Sequence, residues 1–215
     1  MSVFGSVQKS FIGGMFRKLF RITVINPENE PLDESVKSYV ACINHSSNWD
    51  PILIGACMHR PLRYMAKAEL FKIPVLKSIV KLFGAYPVKR DTADVLSVKT
   101  TINILENGEV VGMYPQGRRA KKIHPGTVNP KHGVAMVAFK AKTGILPVTV
   151  ISKGYKVRLF HKTIVVFGKY MPFEELEKIA EENANINNID LYKKITEKIY
   201  GEILENYRKY DVFNK

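Results

Sequence analysis

The chain predicts an α/β fold, a mixed β-sheet flanked by helices and preceded by an amphipathic N-terminal helix, and three observations carry that prediction. Short apolar runs of strand length alternate with longer segments of helical period along the whole chain. Helix-start signals, such as Asp50-Pro51, directly follow some of those runs. No internal repeat, low-complexity stretch or second domain interrupts the alternation, which is the pattern of an α/β layer architecture.

In order, residues 4–20 carry Phe4, Val7, Phe11, Ile12, Met15, Phe16, Leu19 and Phe20 at helical spacing, with Lys9, Arg17, Lys18 and Arg21 near or opposite that face. Strands are expected at 20–26, 38–43, 62–66, 109–114, 145–151 and 162–168, and helices at 50–58, 74–83, 92–106, 131–142, 173–183 and 189–208. Tyr39-Val40-Ala41-Cys42-Ile43 reads as a buried strand. Asp50 then suits a helix N-cap, with Pro51 at the first helical position. Pro125-Gly126 and Asn129-Pro130 punctuate a loop before the helix at 131. The last helix places Ile189, Tyr192, Ile195, Ile199, Ile203 and Tyr207 on one face, to pack on the sheet. Residues 1–20 are assigned as a membrane-contact segment and 21–215 as the domain.

The candidate site begins with His45 and Asp50, in Asn44-His45-Ser46-Ser47-Asn48-Trp49-Asp50, which bracket a strand-to-helix turn. One Asp50 oxygen is expected to accept from first-turn amides. The other would accept from a His45 ring nitrogen, leaving the second nitrogen able to take a proton. A helix cap beside a satisfied loop histidine fits the same spacing. A second turn, Tyr114-Pro115-Gln116-Gly117-Arg118-Arg119-Ala120, follows the apolar run at 110–113. Gly117 permits positive φ, and the paired arginines offer planar donor forks suited to phosphate; a solvated basic loop is the alternative.

Four motifs in order carry a resemblance: His45-x4-Asp50, then Lys67-x-Glu69-Leu70 with Gly84-x5-Arg90, then Tyr114-Pro115-x-Gly117-x-Arg119, then Ile145-Leu146-Pro147-Val148. Over about residues 39–150 the chain resembles the glycerolipid acyltransferase family, and within it the bacterial 1-acylglycerol-3-phosphate acyltransferases. The resemblance implies transfer of a fatty acyl group from acyl-CoA or acyl carrier protein to the free hydroxyl of lysophosphatidic acid, forming phosphatidic acid. It makes His45 the general base, Asp50 its orienting partner, and Lys67, Arg90, Gly117, Arg118 and Arg119 the phosphate cradle. Pro147 marks the fourth motif, and Gln116 is a candidate substrate contact. No metal and no cofactor beyond the thioester co-substrate is implied.

The third motif of that family usually reads Phe-Pro-Glu-Gly-Thr-Arg-Ser. Here Gln116, Arg118 and Ala120 replace the glutamate, threonine and serine, which makes the local field more positive. Another lyso-lipid acceptor, or a non-catalytic lipid-binding protein of the same fold, is the alternative that these departures motivate. An acyl-enzyme is not expected, because Cys42 and Cys57 lie in apolar runs and Ser46 and Ser47 lack an identifiable third group.

The 33 Lys plus Arg against 20 Asp plus Glu give a formal charge of +13, which favours polyanionic partners. No nucleic-acid-binding motif is visible, so nucleic acid is not the expected partner; a membrane lipid surface and coenzyme A phosphates are. Cys42, His45, Cys57 and His59 do not match a zinc spacing. No stretch approaches the roughly 20 apolar residues of a bilayer span. Peripheral attachment at the cytoplasmic face of the cell membrane through the N-terminal helix is therefore expected, with packing of that helix on the core as the alternative. Lys72, Lys77 and Lys81, interleaved with apolar residues, mark either a second membrane- or thioester-facing surface or the solvated edge of a core helix.

Overall fold

A computed structural model describes residues 11–88 and 95–214. Among these, the strands are β1 (Ile22–Ile25), β2 (Tyr39–Ile43), β3 (Leu62–Lys67), β4 (Ala85–Val88), β5 (Val110–Met113), β6 (Gly144–Ser152) and β7 (Thr163–Phe167). The α-helices are α1 (Phe11–Leu19), α2 (Asp50–Cys57), α3 (Pro74–Leu82), α4 (Val95–Glu106), α5 (Gly133–Lys140), α6 (Phe173–Glu182) and α7 (Asn188–Tyr210). The strands form one sheet in the order β1-β7-β6-β2-β5-β3-β4.

The sheet is mixed, as expected. β2 pairs in parallel with β5 and β6, β3 with β5 and β4, and β1 with β7; only the β6–β7 pair is antiparallel. β2, buried throughout, sits at the centre, which is why it reads as a continuous apolar run rather than an alternating one. Alternate β2 residues serve two cores: Val40 and Cys42 face α4–α7, while Tyr39, Ala41 and Ile43 face α2 and the α1 end.

The helix after β2 therefore covers one face and the helix after the neighbouring β5 covers the other. Chains leaving adjacent strands toward opposite faces open a crevice at the strands' carboxyl ends, where open α/β sheets bind ligands. The turns holding His45 and Gly117 leave from those two ends.

Sequence patterning missed β4. It is four residues long and contains Pro87, which argues against a central strand; β4 is at the sheet edge, where the absent N–H breaks no ladder. Pro147 lies inside β6, opposite Cys42. Its carbonyl accepts from Gly168 N at 2.8 Å, so its donorless nitrogen also faces the β7 side, at the level where β7 has just ended. Gly168 is needed there, since a Cβ would come 3.0 Å from that of Pro147.

The N-terminal helix packs on the domain: Phe16 lies 6.1–6.2 Å, ring centre to ring centre, from Phe20, Trp49 and Phe83, and Phe20 is fully buried. Met15 stays exposed. The expected apolar positions Phe4 and Val7 lie outside the described residues. Among the described residues no helix is long and apolar enough to cross a membrane.

Candidate active site

β2 is ended by a side chain acting as backbone. Asn44 Oδ1 accepts from Val150 N at 2.7 Å and Asn44 Nδ2 donates to Val150 O at 3.0 Å, so its amide pairs with β6 as a peptide would. The same Nδ2 donates to the Tyr207 hydroxyl of α7 at 3.2 Å. A buried amide with these partners satisfied holds the next residue, His45, in one place.

Asp50 is wholly buried and serves as the hub of the turn. Its Oδ2 accepts from Ser46 N at 2.7 Å and Ser47 N at 2.8 Å, and lies 2.9 Å from His45 Nδ1; Ser46 Oγ donates to Oδ1 at 3.4 Å. This corrects the expected geometry. Asp50 is the first helical residue, not the cap, and a single oxygen takes both the imidazole and the amides. The amides come from before the helix rather than from its first turn, because the turn folds back over a side chain that points toward the helix N-terminus.

With the carboxylate as acceptor, Nδ1 carries the proton toward Asp50 and Nε2 is left as an acceptor. The His45 ring stacks on Tyr114, 4.1 Å between centroids at 26°. Burial, reinforced by the Asp50 carboxylate, pushes the Tyr114 phenol well above its ordinary range, so it stays neutral against the ring.

The two turns are joined directly. Gln116 Oε1 accepts from His45 N, and Ala120 N donates to His45 O at 2.8 Å. A backbone N–H can only donate, so the Gln116 amide orientation is fixed. Its Nε2 is the free end, buried without a partner. Gly117 adopts φ 69°, as expected, and a Cβ there would lie 3.1 Å from the Lys131 side chain.

Beside the His45 turn a cavity of about 280 Å³ is walled by Ser46, Ser47, Trp49, Arg119, Lys121, Lys122 and Lys156. His45, next in sequence to this wall, is 7% exposed. A larger cleft of about 590 Å³ lies where β2 and β5 begin, lined by Val36, Lys37, Arg60 and Gly108. It is at the opposite edge of the sheet and holds none of the candidate residues.

Of the expected cradle, Arg119 reaches the small cavity; Gly117 and Arg118 are exposed on the same turn, and Lys67 is exposed at the carboxyl end of β3. Arg90 lies outside the described residues, two positions past the end of β4. Pro147 is in the sheet, opposite Cys42. Lys156 was invisible to sequence reasoning: it follows β6 and joins Arg119 only through the fold. Asn44 was missed as well, although a polar amide ending a wholly apolar strand is a signal for such a role.

Both cysteines are buried, and burial raises their thiols, that of Cys57 to about 12 and that of Cys42 further. They stay protonated and are poor nucleophiles.

A buried His–Asp pair on the carboxyl edge of a mixed α/β sheet, next to a cationic cavity, defines a class of site able to move a proton beside an anionic ligand. The chain belongs to the acyltransferase family, whose family model matches residues 21–151. It is 32% identical over 142 residues to the 1-acyl-sn-glycerol-3-phosphate acyltransferase of Bacillus subtilis, covering 66% of this chain and 68% of that protein. The enzyme of the same name from Streptococcus pneumoniae is 28% identical over 68% of this chain and 54% of its own length. In three dimensions the chain is similar to the 1-acyl-sn-glycerophosphate acyltransferase PlsC of Thermotoga maritima, with a TM-score of 0.64 at 19% identity, covering 94% of this chain and 81% of that one. By family it is an O-acyltransferase.

Proposed function

We propose that this protein acylates the free hydroxyl of 1-acylglycerol-3-phosphate from an acyl-CoA or acyl carrier protein thioester, giving phosphatidic acid for phospholipid biosynthesis. The names of the curated relatives support the acceptor. The observation that carries the mechanism is the Asp50 hub, which fixes the His45 tautomer through two amides and the ring at 2.7–2.9 Å.

His45 Nε2 takes the hydroxyl proton as the acceptor oxygen attacks the thioester carbon. The new C–O bond forms, the C–S bond breaks, and the leaving thiolate recovers the proton from the imidazolium. General-base assistance of this kind is typically worth about 10²–10⁴-fold. No acyl group rests on the protein, and no metal or cofactor is needed.

Arg119, with Lys121, Lys122 and Lys156, supplies the positive wall for the acceptor phosphate, and the family resemblance of their motifs assigns Gly117, Arg118, Lys67 and Arg90 to the same phosphate. Gln116 Nε2, buried without a partner, is the end of that side chain left to meet the substrate. The lipid acceptor must be taken from a bilayer, so the protein works as a peripheral protein on the cytoplasmic face of the cell membrane.

Thiol release from an acyl-CoA and from an acyl carrier protein, with and without lysophosphatidic acid, tests this reading. Acceptor-dependent release is expected, and His45→Ala should remove it while leaving the circular dichroism spectrum intact. Acceptor-dependent release at wild-type rate by a folded His45→Ala protein would refute the assigned base.

A further inference from the structure

Helix α3 sets two apolar stripes side by side. Leu76, Val80 and Phe83 are half-buried, with Val80 and Phe83 packing beside Tyr64 and Ala85. Val75, Ile79 and Leu82, spaced at i, i+4 and i+7, are 73%, 46% and 38% exposed, and Ile73 is 54% exposed just before them. No residue of α3 is fully buried, and only its inner stripe packs on the small cluster around Tyr64 and Ala85. A surface helix normally turns cations, not a valine and an isoleucine, to water.

Lys72, Lys77 and Lys81 are exposed on the same segment, and α3 bears no acidic side chain. The charges of α3 itself are all lysine, with the exposed Glu69 back on the approach turn; an apolar ridge among such cations matches the interface of an anionic bilayer, where the ridge enters the acyl boundary and the ammonium groups reach lipid phosphates. A protein partner would be met by a surface of mixed charge. The inner stripe of α3 adjoins the amphipathic helix α1, since Phe83 at its end lies 6.2 Å from Phe16 edge to face. The approach to α3, the turn at 68–72, starts from the carboxyl end of β3, on the same edge of the sheet as the His45 turn.

We infer that α3 is a membrane-docking foot for an anionic lipid surface, acting beside α1. It rests on the proposed membrane-surface reading but adds an element, and a lipid charge preference, to it. Two feet fix the tilt of a rigid domain on the bilayer, which one short helix does not, and would hold the β-strand carboxyl edge toward the lipid.

The test is co-sedimentation of the full chain with vesicles of about 30% phosphatidylglycerol in phosphatidylcholine and with pure phosphatidylcholine. The variants are Val75→Asp/Ile79→Asp and Lys77→Glu/Lys81→Glu, both at exposed positions, with acyl transfer to a water-soluble short-chain acceptor measured in parallel. Each variant should lose at least tenfold of the partition to anionic vesicles while melting and soluble-acceptor transfer stay at wild-type values. Equal partition of wild type and Val75→Asp/Ile79→Asp would overturn the proposal, as would a concentration-dependent dimer that this variant dissolves. If no protein transfers acyl groups yet the partition differences hold, the foot stands and the assigned reaction falls; the reverse pattern sinks the foot alone.

Discussion

Replacing Asp50 by Asn isolates charge from shape at the centre of the turn. The asparagine oxygen can occupy the Oδ2 position, still accepting from Ser46 N, Ser47 N and His45 Nδ1, which now lie 2.7, 2.8 and 2.9 Å away. A hydrogen bond to a charged group contributes about 1.5–3 kcal/mol and a neutral one about 1, so three downgraded bonds at a fully buried oxygen remove about 2–4 kcal/mol. For a domain of this size that lowers the melting temperature by roughly 5–15 °C. The larger effect falls on the rate. As His45 takes the hydroxyl proton it becomes an imidazolium, and without the carboxylate that charge has no partner; a loss of about 10²–10⁴ in kcat is expected. Asp50 touches no substrate, so the acceptor KM should stay within about threefold. Initial rates of thiol release over an acceptor titration, read beside a thermal melt, separate the two effects. A folded Asp50→Asn protein with kcat within about threefold of wild type would show that the imidazole is not the base held by this carboxylate.

Arg119→Ala and Arg90→Ala should each raise KM for a phosphorylated acceptor by about tenfold or more with a smaller change in kcat, consistent with loss of a charge-assisted contact; unchanged acceptor kinetics in both would remove the cradle. Lys156→Ala should act in the same direction and non-additively with Arg119→Ala, because the two share a cavity wall; strict additivity of the two would place them on separate ligands. Asn44→Ala strips the pairing with Val150 and should destabilise the fold by about 2–4 kcal/mol in a urea melt. Because the Cys57 thiol is raised to about 12 and that of Cys42 higher, thiolate is scarce at neutral pH, and iodoacetamide should leave native activity intact while labelling both thiols in urea. Rapid inactivation of native protein would reopen a cysteine nucleophile.

Most of the fold was readable because each element carries its own local signal: β2 as an unbroken apolar run, α2 as a turn opened by proline, α7 as a stripe from Ile195 to Tyr207, although its expected first member, Ile189, is 56% exposed and Leu191 is buried in its place. β4 was not, since a proline within four residues looks like a break until the strand is known to lie at an edge. The His45–Asp50 pair was legible because five residues of chain hold both groups. Which Asp50 oxygen does the work was not, because that depends on how the turn folds back over Asp50. Lys156 lies 37 residues beyond Arg119 in sequence, and only the packing of the segment after β6 against the His45 turn brings them to one wall. No periodicity encodes that meeting.

The clasp of Asn44 with Tyr207 ties the first working turn of the domain to its final helix. During synthesis, the strand that Asn44 closes emerges early, yet its third partner is made some 160 residues later. Until Tyr207 has left the ribosome the imidazole's mooring is incomplete, so a nascent or prematurely terminated polypeptide carries the reactive motifs without the support that aligns them.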